Sequence, residues 1–236
     1  MGPFKTKLYE ICTEVASEFQ GWSFVSGAFK SKSLKHSTLM LSPGFYIIAD
    51  NTPLQPTLFV QHRHSMALFK RLNGYELATS MVNFQTIPQL LHHTPEPLRL
   101  VCSIVADKRL QFRLVPPSEK TRDSFVDITE VRSVLRANLA DGIALFERLY
   151  DFSSEENFLR NLPPRYTPRS EKIPYDEFEQ QKGVMVCIVR ALLGDFDFVR
   201  QYRDDTYQTI FPKRVTELDN LIAALPELKN QYSKTS

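Results

Sequence analysis

The strand-like alternation that dominates the first half of this chain stops at Pro116-Pro117, and that break constrains the fold more than any other feature. Before it, apolar residues mostly alternate in short runs separated by turn residues. After it they recur every three or four positions. A period of two places alternate side chains on one face of a strand, and a period of 3.6 makes one face of a helix. Strands grouped first and helices grouped later predict an α+β fold, not alternating βαβ units. The division predicts a sheet region over 1–116 and a helical region over 117–236. The helices then either pack on the sheet within one continuous domain or form a small subdomain.

Within the first region, Leu8, Ile11, Cys12, Val15 and Phe19 predict an opening amphipathic helix over 4–19, closed by Gly21. Trp22 to Phe29 is strand-like, followed by a polar turn at Lys30-Ser31-Lys32-Ser33. Thr38–Leu41, Phe45–Ala49 and Thr57–His62 read as strands, with 50–56 as a loop containing Pro53 and Pro56. A short helix spans Ser65–Leu72, ended by Asn73-Gly74. Glu76–Phe84 alternates, and 98–105 with 109–115 reads as a hairpin.

In the second region, Asp127 with Glu130 and Ser153 with Glu156 have capping-box spacing. The first predicts a helix running through Leu149. Pro174 opens another, closed by Gly194, and Asp195 caps a short helix to about Tyr202. Pro212 precedes a last helix ending near Leu225-Pro226 or a little beyond.

Composition excludes several classes. Of 236 residues, 24% are charged and 11% aromatic, so the chain has the means to build a core. The eight glycines include no G-x-G pair, which removes Rossmann and P-loop phosphate cradles. No G-x-S-x-G elbow is present. Cys12, Cys102 and Cys187 are odd in number and widely spaced, which predicts buried thiols in a reducing cytoplasm and no disulfide framework. No run is long and apolar enough to predict a membrane span. The paired acids Glu155-Glu156, Asp204-Asp205 and Asp195/Asp197 all fit helix starts or solvated faces.

Charge is uneven. Residues 1–115 carry 12 Lys/Arg against 7 Asp/Glu, and residues 116–236 carry 17 against 20. Lys30, Lys32, Lys35 and His36, extended by Lys70 and Arg71, form a candidate binding surface for a protein with an acidic face. His62-Arg63-His64 is the most suggestive chemical cluster. Imidazoles at i and i+2 of a strand share a face and, with His92, His93 and a carboxylate such as Asp50, could ligate a metal.

These features predict a non-catalytic cytoplasmic protein-binding protein: an adaptor, a chaperone-like factor or an immunity-type inhibitor, with no cofactor. The sheet, the basic hairpin 30–36 and the loop 50–56 would form its partner surface. The alternative is a metal-dependent hydrolase or nuclease centred on His62 and His64. A third reading, nucleic-acid binding through the basic N-terminal half, lacks the aromatics or glycines that usually accompany such cations.

Overall fold

The computed structural model describes residues 2–32, 34–76, 81–86, 102–109, 125–149, 151–160, 177–207 and 215–232. It has an N-terminal helix, mostly antiparallel sheets and a helical C-terminal part, an α+β fold. Among the described residues no helix is long and apolar enough to cross a membrane. The chain divides into two compact units, 1–33 with 38–59 and 84–149, and 34–37 with 60–83 and 150–236. Neither coincides with the halves 1–116 and 117–236, because each draws chain from both.

The first unit begins with α1 (Pro3–Ser17), whose Leu8, Cys12 and Val15 are buried at helical spacing. Strands β1 (Trp22–Val25) and β2 (Ala28–Ser31) form an antiparallel hairpin, with Phe24 opposite Phe29. The turn is Ser26-Gly27, and both residues carry the positive φ that a two-residue type I′ hairpin needs. The polar turn expected at 30–33 is therefore misplaced. Lys30 and Ser31 belong to β2, and the Ser-Gly pair four residues earlier reverses the chain.

β3 (Ser37–Ser42) pairs antiparallel with β2. The expected strand over Phe45–Ala49 does not form. Gly44 and Ala49 both have left-handed φ, which interrupts an extended run at each end. The loop expected at 50–56 instead contains β4 (Asn51–Leu54), antiparallel to β7 (Cys102–Val105). β4 is an edge strand, where Pro53 is tolerated because its missing N–H can face away from the ladder.

β8 (Phe125–Asp127) lies parallel to β7 on the other side, giving the order β4-β7-β8. Strand signals therefore do not stop at Pro116-Pro117; three residues are too few to show a period. Lys108 and Arg109 start a helical turn, and 110–124 lie outside the described residues. Asp127 ends β8, accepting from the backbone N–H groups of Lys108 and Thr129. Helix α3 (Val131–Leu149) follows, starting past the expected cap because Asp127 ends β8, and a Cβ at Gly142 on it would strike the Leu41 side chain unless that leucine moved.

β5 (Thr57–His62) and β6 (Met81–Thr86) complete a second sheet of order β1-β2-β3-β5-β6. Glu76 is not part of β6, and residues 77–80 lie outside the described residues.

The second unit is built around helices. α2 (Arg63–Asn73) is closed by Gly74 in the left-handed region, as its sequence implies. α4 (Glu155–Arg160) is capped by Ser154, whose hydroxyl accepts from the Asn157 N–H; the cap sits one residue after the expected Ser153. α5 (Glu177–Leu192) ends at Gly194, and Asp195 caps α6 (Phe196–Gln201) by accepting from the Phe198 N–H. A π-helical turn, Tyr202–Tyr207, continues α6. Residues 161–176, which include the expected Pro174 start, lie outside the described residues. The last helix, α7 (Val215–Tyr232), runs through Pro226 and on to Tyr232. Leu221, Leu225 and Leu228 are buried on either side of that proline, and their burial outweighs one lost backbone hydrogen bond. Phe69, Met185, Ile188, Val199, Leu218 and Leu225 belong to one buried cluster joining α2, α5, α6 and α7.

Candidate functional site

The His62-Arg63-His64 cluster sits where β5 becomes α2. The strand expectation placed both imidazoles on one face. Since His62 is the last strand residue and His64 is already helical, their rings instead stand at 88° with centroids 6.3 Å apart.

His62 is almost wholly buried and serves as the N-cap of α2. Its Nδ1 accepts from the Ser65 N–H (3.2 Å), and the Ser65 hydroxyl donates back to the His62 carbonyl (3.0 Å). An accepting Nδ1 places the neutral ring's proton on Nε2. That nitrogen lies 3.6 Å from Oε1 of Glu155. Burial pushes the His62 pKa down to about 4, against the opposing pull of the carboxylate, so the ring is neutral at pH 7.

Glu155 joins three distant points of the second unit. Its Oε2 accepts from the backbone N–H of His36 (2.8 Å), and its Oε1 accepts from the hydroxyl of buried Ser37 (2.5 Å). Sequence reasoning gave Glu155 a helix-start role shared with Glu156. Glu156 does pair locally, with Arg160. Glu155 turns inward, and its partners lie 118 and 119 residues away, beyond any local signal.

Outside this buried tie, the half-buried His36 ring stacks on the exposed His64 ring, 4.0 Å between centroids and 8° between planes. Arg63 holds the stack's backbone. Its N–H donates to the His36 carbonyl (2.9 Å), and its guanidinium donates to the Lys35 carbonyl (2.6 Å). Lys35 and Arg63 are exposed, and among the described residues neither has a carboxylate within ion-pair distance. Burial, His64, Lys35 and Arg63 all lower the His36 pKa, while Glu155 raises it. α2 has no acidic residue in its first turn, so its dipole adds to the positive field there.

The metal reading expected the imidazoles to meet a carboxylate such as Asp50. The carboxylate that meets His62 is Glu155. Among the described residues no group of three or more His, Cys, Asp or Glu is arranged to hold a metal ion. The chemistry of the donors agrees: Nδ1 of His62 is already an acceptor in the cap, and Nε2 carries its proton. His92 and His93 lie outside the described residues. A serine-histidine relay is not formed either, because the Ser37 hydroxyl donates to the carboxylate directly and is buried.

The basic-surface residues separate. Lys30 lies on β2, and Lys32, Lys35 and His36 lie on the connection to β3. Lys70 pairs with Glu76 (2.7 Å) and Arg71 with Glu227 (3.5 Å), so their charges are locally offset. The grouping that sequence reasoning missed is Lys35 and His36 with Arg63 and His64. The cysteines are all buried free thiols. Burial raises each pKa, for Cys102 up to about 11, which makes them poor nucleophiles. The sequence matches no family model, and no curated protein or solved structure matches it.

Proposed function

We propose that this protein is a non-catalytic protein-binding protein, an adaptor or inhibitor-type factor, that docks an acidic partner on the patch of Lys35, His36, Arg63 and His64. One observation carries the reading. Two exposed cations with no carboxylate within ion-pair distance among the described residues flank a stacked imidazole pair. The same unit's Lys70 and Arg71 do have acidic partners. Uncompensated charge of one sign on one spot steers and orients an oppositely charged surface. The free buried thiols suit a reducing compartment such as the cytoplasm.

The test is binding of a fluorescent polyglutamate peptide to the full chain, titrated at several salt concentrations. The reading expects binding that weakens with salt and is lost in Lys35→Glu/Arg63→Glu. Equal binding by that variant overturns it. A single-stranded oligonucleotide bound more tightly than polyglutamate through the same residues would replace the acidic protein with nucleic acid.

A further inference from the structure

The charge count of this patch specifies its ligand more closely than a generic acidic surface does. Lys35 and Arg63 contribute two fixed positive charges. Among the described residues the carboxylate that acts on the pair is Glu155, which is engaged with the His36 N–H and the Ser37 hydroxyl and contributes one negative charge. The patch therefore carries one net positive charge while the imidazoles are neutral. One proton on the His36–His64 pair brings it to two. A second proton is opposed, because two imidazolium rings would then face each other at 4.0 Å.

A group matched to this arrangement is a dianion that binds together with a single proton. A carboxylate offers one charge and two oxygens. A phosphate monoester offers nearly two charges and three acceptor oxygens. Resting on the docking reading above, we infer that the patch receives a phosphorylated side chain of its protein partner, with uptake of one proton by the stacked pair. Lys35 and Arg63 supply the fixed charge, and the half-buried His36 ring takes the proton. Among the groups facing His36, only Glu155 favours that proton; Lys35, Arg63 and His64 oppose it. The bound dianion reverses the balance by adding negative charge on the exposed side.

The experiment is isothermal titration of the full chain with two otherwise neutral peptides, one carrying a single phosphoserine and one carrying glutamate at that position. Each is run at pH 7 and pH 8 in two non-phosphate buffers of different ionisation heat. Above pH 7 the phosphate stays dianionic, so a pH effect reports the protein.

The phosphopeptide is expected to bind at least about tenfold tighter than its glutamate counterpart. It should take up close to one proton and weaken by up to about tenfold from pH 7 to pH 8. Lys35→Gln, an exposed change, should weaken it severalfold, and His36→Asn should remove the proton uptake. Equal affinity for the two peptides, or phosphopeptide binding without proton uptake, overturns the inference and leaves the docking reading standing. Failure of both peptides while polyglutamate still binds also overturns the inference alone. Failure of polyglutamate as well overturns the docking reading.

Discussion

Removing the Glu155 carboxylate tests the tie beneath the patch. In Glu155→Ala, the His36 N–H and the Ser37 hydroxyl lose the acceptors they reach at 2.8 and 2.5 Å. Hydrogen bonds to an ionised group are worth about 1.5–3 kcal/mol each. Truncation also relieves the carboxylate's partial desolvation, which returns some of that sum. A net loss of about 3 kcal/mol is expected from these terms. The assay is urea unfolding, read as a lower midpoint at unchanged slope. At about 2–4 °C per kcal/mol for a chain of this size, melting should fall by roughly 6–12 °C. Ser37→Ala removes one of the two donors and should cost about 1.5–3 kcal/mol alone, but almost nothing on top of Glu155→Ala. The exposed neighbour Glu156→Ala, which breaks only a surface pair with Arg160, should change stability by less than about 1 kcal/mol. If Glu155→Ala is as mild as Glu156→Ala, the carboxylate does not hold the second unit together and the reasoning is wrong.

His62 predicts acid sensitivity. Its folded pKa of about 4 lies below the ordinary 6.5, so the unfolded chain binds the extra proton first. Its stability contribution is complete above pH 6.5 and is lost as pH falls through 4, by up to about 3 kcal/mol. His62→Asn keeps an N-cap acceptor and should flatten that slope; urea midpoints between pH 4 and 7 that fall equally in both proteins would contradict it. Gly44→Ala should destabilise by at least about 2 kcal/mol, since Gly44 has φ +71° and a Cβ there would strike the Gln55 carbonyl; an unchanged melting temperature would refute this. Asn138 is buried and among the described residues its Oδ1 has no hydrogen-bond partner, so Asn138→Leu should raise stability by about 1 kcal/mol, read as a higher urea midpoint, and a loss of that size would show that the oxygen has a bound partner. All three thiols should resist a dithiobis-nitrobenzoate reagent until denaturant is added, as the absorbance at completion in native buffer will show.

The sequence by itself determined what a few consecutive residues can decide. The buried face of α1, the strand ending at His62, the helix closed by Gly74 and the Gly194-Asp195 corner all lie where their local signals put them. Each rests on a period, a cap or a left-handed glycine, whose physics spans about one turn. The tertiary structure decided what depends on neighbours distant in sequence. Asn51–Leu54 reads as a loop because of its proline, and it is a strand because β7 offers a ladder whose outer edge tolerates one. Leu225-Pro226 reads as the neighbourhood of a helix end, and the helix continues to Tyr232 because Leu228 beyond the proline is buried with Leu225 and Leu221 before it.

The candidate site follows the same division. His36, His62 and His64 were visible as residues able to bind or titrate. Their arrangement was not, since it depends on where a strand ends, on a ring turned to cap a helix and on a carboxylate more than a hundred residues away. Local backbone preferences act over a few bonds, whereas the field and the hydrogen bonds around a side chain come from whatever the packed chain brings within a few ångströms.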